Sequence, residues 1–242
     1  MITSDVPIII IPDIHGGTFW RKALSFLQKG HLVFLGDYLD PYDNEEGITS
    51  ESAFYNLLDI LDIKRKNPDR VSLLWGNHDL HYLYKNLKGS RYDYSNSVRF
   101  NQFFWQHQNF FQYAEDAILD AKRYLFTHAG VGRMWASKVS EAFINHAPTA
   151  SELNSMAHSR IFIESLGAIP CMRGGWSEYG SMIWADSQEQ NNVVNQYKEI
   201  IQVFGHTHRN TPLNIDNRIY CIDCCQCFII NPVTGQIEAI YQ

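Results

Sequence analysis

Short apolar runs alternate with stretches of helical spacing through the first half of the chain, which predicts a βαβ sheet. Val6 to Ile11 reads as a strand closed by the turn PDIHGG. Thr18 to Gln28 carries Phe19, Ala23, Phe26 and Leu27 at helical spacing and ends near Gly30. His31 to Leu35 is a second strand, stopped by Gly36. Ser50 can cap a helix running to about Lys66, with Ala53, Phe54, Leu57, Leu58 and Leu61 on one face. Val71 to Trp75 is a third strand.

The pattern changes from about 81 to 113, where aromatic and amide side chains dominate (RFNQFFWQHQNFFQY). This segment reads as helices forming an insertion or cap, with ordinary outer-layer packing as the plainer alternative. Ala117 to Thr127 predicts two short strands with a turn at Ala121–Lys122. Arg133 to Ala157 is helical, broken at Pro148. A glycine-rich loop, RGGWSEYGS, leads to a helix near Glu189 to Lys198 and a strand at Ile200 to Phe204. From Leu213 to Ile240 the chain predicts three or four short strands, turning at Asp216–Asn217 and Pro232 to Gly235. No repeat, low-complexity segment or linker interrupts it, so one domain over 1–242 is the simplest organisation.

Composition narrows the class. The 242 residues are 45% hydrophobic, enough for a sizeable core without disulfides. A balance of 26 acidic to 20 basic residues, net −6, argues against a dedicated nucleic-acid binder. A phosphorylated substrate stays open, because bound metal would reverse the local sign. No run approaches the ~18 apolar residues of a membrane span. The N-terminus has no positive region before its apolar run, so a cytoplasmic protein is the expectation. Five cysteines (Cys171, Cys221, Cys224, Cys225 and Cys227) are an odd number for a disulfide framework. The cluster CIDCCQC could suggest zinc, but it is a single cluster in an apolar, strand-like run and reads as buried cysteines.

The candidate chemistry sits at strand ends. Carboxylate, imidazole and amide groups hold divalent ions, commonly from loops that follow strands. Asp13 and His15 follow the first strand, Asp37 the second, and Asn77 and His78 the third. His128 follows YLFT, while His206 and His208 follow IIQVFG. Glycine precedes Asp37, Asn77 and His206, as a sharp turn beside an ion requires. Half of the ten histidines lie in these five loops, and in an open α/β sheet such loops gather at the carboxyl ends of the strands.

The ordered set DIHG (13–16), GDYLD (36–40), GNHD (76–79), HAG (128–130) and GHTH (205–208) resembles the calcineurin-like metallophosphoesterase superfamily. DIHGG and GDYLD lean toward its branch of Ser/Thr phosphoprotein phosphatases and symmetrical dinucleoside tetraphosphate hydrolases. MIWAD (182–186) and the terminal CIDCCQCFIINPVTGQIEAI are similar to segments of that branch. The resemblance implies a four-layer α/β/β/α sandwich of two mixed β-sheets with helices outside. It implies two divalent ions, Mn²⁺ first and Fe or Zn²⁺ as the alternatives. Asp13, His15 and His208 would hold one ion, Asp37 would bridge, and Asn77, His128 and His206 would complete the second. A metal-bridging hydroxide would attack phosphorus, His78 would protonate the leaving oxygen, and Asp40 would support His78.

The departures concern phosphate binding. Pro41 and Tyr42 follow GDYLD where the branch has Arg-Gly, Trp75 precedes GNHD where Arg is common, and no NDRG-like run follows MIWAD. Arg173 and Arg209 are the candidate replacements. The expected activity is a metal-dependent phosphoric ester hydrolase, foremost a phosphomonoesterase or phosphoprotein phosphatase. The alternatives are a dinucleoside polyphosphate or nucleotide hydrolase, then a metal-dependent nuclease, and last a non-catalytic scaffold.

Overall fold

The computed structural model describes residues 1–3, 6–42 and 47–241, and its strands form two mixed sheets of six. In chain order the strands are β1 (Ile2–Thr3), β2 (Ile8–Ile11), β3 (His31–Phe34), β4 (Val71–Leu74), β5 (Phe111–Gln112) and β6 (Glu115–Leu119). They continue with β7 (Lys122–Phe126), β8 (Ile201–Phe204), β9 (Leu213–Ile215), β10 (Ile219–Cys221), β11 (Phe228–Ile230) and β12 (Ile237–Ala239). Helices α1 (Ser50–Lys66), α2 (Asn77–Leu83) and α3 (Ser97–His107) lie in the first half of the chain. Helices α4 (Arg133–Val139), α5 (Ala150–Ser155) and α6 (Arg160–Ser165) follow. The chain divides into two compact units, and each contains one of the sheets.

The unit formed by Val6–Gln112, Cys225–Asn231 and Gln236–Gln242 has strand order β12-β11-β2-β3-β4-β5. Strands β2 to β5 are parallel, and β11 and β12 extend the sheet antiparallel. The four isoleucines of β2 are wholly buried, as a parallel strand covered on both faces requires. Helix α1 is capped one residue before the expected position: the Thr49 hydroxyl accepts the Ser52 N–H, and the Ser52 hydroxyl accepts the Thr49 N–H. Between β2 and β3 the expected α-helix is a 3₁₀ helix, Phe19–Phe26. Its period of three puts Trp20 and Ala23 on one buried side, where the Trp20 indole donates to Asn56 at 3.1 Å. The aromatic stretch within 81–113 packs into this unit. Phe100 stacks on Phe54 at 5.5 Å, and Phe104 meets Trp75 edge-on at 5.4 Å.

The other unit, Met1–Asp5, Tyr113–Cys224 and Pro232–Gly235, has strand order β1-β6-β7-β8-β10-β9. Strands β6 and β7 form a hairpin through Asp120 and Ala121, both at positive φ, the geometry of a two-residue type I′ turn. That turn falls one residue earlier than the sequence predicts. Asp216 and Asn217, also at positive φ, turn β9 into β10 where expected. Glu189 to Lys198 forms two short 3₁₀ turns in place of one helix. Local side-chain bonds compete there: Asn192 accepts the Val194 N–H, and Asn195 donates to the Glu189 carbonyl. The chain is thus mixed α/β, with two mixed sheets and helices. No helix among the described residues is long and apolar enough to cross a membrane.

Candidate metal centre

Because β2, β3 and β4 are parallel neighbours, the loops that follow them leave the same edge of their sheet. Asp37 is where those loops join. Its carbonyl accepts the N–H of His15 at 2.7 Å and of Ile14 at 3.1 Å, and its carboxylate accepts the His78 N–H at 2.9 Å. The Asp79 carboxylate then accepts three backbone N–H groups, from Asp37 (2.8 Å), Tyr38 (3.0 Å) and Gly76 (2.8 Å). Burial and the charge of Asp37 raise the proton affinity of Asp79, and the three donors oppose that rise. His15, Asp37 and Asp40 all take left-handed backbone, at φ 43°, 54° and 56°. Such strain is held only where surrounding contacts fix it.

Asp13, His15, Asp37 and Asn77 are all buried in this unit. The His15 ring donates through Nδ1 to the Leu39 carbonyl at 2.8 Å, which fixes the tautomer and leaves a lone pair on Nε2, itself 3.5 Å from Asp37 Oδ2. Burial, with His78 and Arg91 adding to it, holds His15 well below its ordinary pKa, so the ring is neutral. A neutral imidazole with a lone pair, beside buried carboxyl groups and an amide, is a donor set suited to a divalent metal ion.

Beside these residues lies a second buried cluster. His78 Nδ1 donates to Asp40 Oδ2 at 2.8 Å, His81 Nε2 approaches the same oxygen at 2.8 Å, and the Tyr82 hydroxyl donates to the other. Burial alone would raise the pKa of Asp40, but its bonds with His78 and His81 bring it down to about 2. Burial brings His78 down to about 4 despite Asp40, and the Arg91 charge adds to the fall. The pair in the free chain is therefore a carboxylate and a neutral imidazole.

Arg91 is a residue the sequence reading passed over. Its Nη2 lies 3.1 Å from His78 Nε2 and 3.3 Å from His15 Nε2, and its Nη1 donates to the Asp40 carbonyl. The guanidinium rests on the Tyr42 ring, 3.9 Å from its centroid. The signal available beforehand was charge. The segment 81–113 holds Lys85, Lys88, Arg91 and Arg99 against a single acid, Asp93, in a chain of net −6.

In the other unit, β7 and β8 are parallel neighbours, and a histidine stands two residues past the end of each. His128 Nε2 and His206 Nδ1 approach to 3.1 Å, with His206 in left-handed backbone at φ 63°. His208 is half exposed, its Nδ1 3.8 Å from Asp223 Oδ2. Of the two arginines read as phosphate ligands, Arg173 pairs with Asp186 at 3.2 Å and donates to Thr207 Oγ1 at 2.6 Å. Arg209 donates its backbone N–H to the Asp223 carbonyl, and its buried Nε has no partner among the described residues. The cysteines are thiols: Cys221, Cys224 and Cys227 are buried, and Cys171 and Cys225 are exposed. Only Cys221 lies in a strand; the others of the cluster occupy the connection to β11.

Comparison with known proteins gives the family and the fold. The catalytic subunit of serine/threonine-protein phosphatase 4 from Eremothecium gossypii is 34% identical over 86 residues, 34% of this chain and 25% of that protein. The Saccharomyces cerevisiae subunit is likewise 34% identical over 86 residues, with the same coverage. The match thus spans about a quarter of the length of these relatives. Among solved structures, a cold-active protein-tyrosine phosphatase of a psychrophilic Shewanella species superposes with TM-score 0.61 at 17% identity, covering 99% of this chain and 81% of that one. A protein serine/threonine phosphatase from Saccharomyces cerevisiae gives 0.55 at 17% identity, covering 98% and 80%. These likenesses share the fold. The sequence model of the calcineurin-like phosphoesterase family matches residues 6–210, and the chain belongs to that family.

Proposed function

We propose that the chain is a dinuclear-metal-dependent phosphomonoesterase or phosphoprotein phosphatase, acting as one domain over 1–242. In this reading Asp13, His15 and His208 hold one ion, Asp37 is shared, and Asn77, His128 and His206 complete the second site. The observation that carries it is the state of His15: neutral, tautomer fixed by Leu39, with Nε2 bearing the lone pair 3.5 Å from Asp37 Oδ2, in the loop of the DIHG motif. Mn²⁺ is the proposed occupant, with Fe or Zn²⁺ as alternatives. When bound, the ions would supply Lewis acidity that activates water and offsets charge on the phosphate oxygens.

The remaining work falls to this chain's own residues. Asp79 fixes the Asp37 and Gly76 loops against each other through its three hydrogen bonds. Asp40 orients His78 through Nδ1 and leaves Nε2, which meets Arg91, as the proposed proton donor to the leaving oxygen. Burial and Arg91 keep that imidazole neutral in the free chain, so the donor role requires a bound anion to offset the guanidinium. Arg173 and Arg209 are proposed as further substrate contacts, with Arg173 the weaker because Asp186 already meets its charge.

The test is turnover by the Mn²⁺-loaded protein on p-nitrophenyl phosphate, its bis-ester, a phosphopeptide, diadenosine tetraphosphate and single-stranded DNA. Monoester or phosphopeptide hydrolysis is the expected result. A preference for the bis-ester, or no turnover on any of them with metal bound, would overturn the reading.

A further inference from the structure

Arg91 is a half-buried cation with no carboxylate partner among the described residues, yet it is held from three sides. The Asp40 carbonyl takes one nitrogen, the Tyr42 ring takes one face, and the Nε2 atoms of His15 and His78 lie 3.3 and 3.1 Å from the other nitrogen. Both imidazoles commit Nδ1–H elsewhere, to Leu39 and Asp40, so both Nε2 atoms present lone pairs. A guanidinium fixed in place, with no carboxylate paired to it among the described residues, is suited to take an anion. It also borders a cavity of about 400 Å³ lined by Tyr42, Ile48, Ser50, Tyr92 and Asp93, the size of a small ligand site.

We propose that Arg91 is the substrate-binding residue for the phosphate group, supplied by the segment 81–113 in place of the arginines missing after GDYLD and before GNHD, and that the adjoining cavity takes the leaving group. This rests on the phosphoesterase reading above and narrows it to dianionic monoesters. A monoester has three terminal oxygens, so one could meet the guanidinium even where the other two would face the residues proposed to hold metal. A diester has only two. Arg91 therefore discriminates between the classes, and its rigid guanidinium, seated on Tyr42, holds that one oxygen where a flexible lysine would not.

The test compares the wild type with Arg91→Ala and Arg91→Lys, each loaded with Mn²⁺ and checked for metal content. Inorganic phosphate binding is measured by calorimetry, and kcat and KM are measured on p-nitrophenyl phosphate and its bis-ester. Arg91→Ala is expected to keep its metal, weaken phosphate binding at least about tenfold and cut monoester kcat/KM about 100-fold, with a much smaller loss on the bis-ester. Arg91→Lys should fall between the two, retaining charge without the fork. Phosphate binding within threefold of wild type in Arg91→Ala, no phosphate binding by wild type, or loss of metal from both variants would each overturn the proposal. Arg91-dependent phosphate binding in a wild type that hydrolyses no ester would leave this site standing and sink the phosphatase reading instead.

Discussion

The Asp79 carboxylate accepts the backbone N–H of Asp37 at 2.8 Å, across 42 residues of chain, and so couples the loop after β4 to the loop after β3. The same oxygen takes the Gly76 N–H and its neighbour takes that of Tyr38. All three donors are buried main-chain groups that have lost water, so an acceptor on Asp79 is obligatory. Asp79→Asn keeps the shape but turns an NH₂ toward at least one N–H. The expected loss is roughly 2–4 kcal/mol of stability, read as a lower urea midpoint, together with weaker Mn²⁺ retention. A midpoint unchanged from wild type would mean that the loops hold their form without this carboxylate.

Glycine at position 76 answers to the same junction. A Cβ there would lie 2.0 Å from Asp37 Oδ1 and 2.4 Å from the Asp37 nitrogen, contacts that no rotamer change relieves. Gly174, at φ +79°, would set its Cβ in open space and meet only backbone strain. Gly76→Ala should therefore disrupt folding or metal retention, whereas Gly174→Ala should cost about 1–2 kcal/mol. Thermal melts of the two variants side by side check the ranking, and equal melts would refute the account of the junction.

What could be read from the sequence followed from local rules. Asp13, His15, Asp37 and Asn77 each stand at the end of a β-branched or leucine-rich run, and their loops do leave one edge of one sheet. The hairpin turn at Asp216–Asn217, and to within one residue that at Asp120–Ala121, could be read because Asp and Asn tolerate positive φ. Arg91 was not legible in this way, since its contact with His15 spans 76 residues and no periodicity connects them. The 3₁₀ helix at Phe19–Phe26 and the turns at 189–195 escaped for the opposite reason. There, side-chain bonds to nearby or distant partners overrode a helical spacing that was present in the sequence.

Asp40 carries a sharper prediction than the histidine it holds. Its Oδ2 accepts from His78 Nδ1, and that bond sets the direction of the ring. Asp40→Asn can present NH₂ to Nδ1 and favour the wrong tautomer, while Asp40 itself is outside the proposed ligand set. Metal content should therefore remain near wild type while kcat on a monoester falls about 10²-fold or more. His78→Ala should behave alike, and the double variant should lose little beyond either single one. Additive losses would show that the two residues do not act together.

The thiols provide a readout of folding that is independent of activity. Burial pushes Cys227 up to about 12, and burial with the charge of Asp223 pushes Cys224 up to about 11, from an ordinary 9.0. At pH 8 both stay protonated and enclosed, so N-ethylmaleimide should modify the exposed Cys171 and Cys225 first and reach the other three only on unfolding. The linkage has a definite sign. Above pH 9 the unfolded chain releases protons that the folded chain keeps, so stability should decline from there toward pH 12. Rapid labelling of all five thiols in native buffer at pH 8 would contradict the buried placement.

Metal removal tests the ligand proposal without any substrate. Asp13 and Asp37 are buried carboxyl groups that a metal ion would meet, and His15 is already neutral with its Nδ1 committed to Leu39. An ion that binds the folded chain alone stabilises it in proportion to RT ln(1 + [M]/Kd), about 2.7 kcal/mol at a hundredfold excess over Kd. The melting temperature should thus drop on chelation and rise again with the logarithm of added Mn²⁺. Asp37→Asn should abolish that dependence, because the proposed shared ligand is gone, while His31→Ala should leave it intact, since that ring bonds Ser72 and stands outside the ligand set. A wild-type melt that ignores Mn²⁺, Fe²⁺ and Zn²⁺ alike would rule out a resident metal centre.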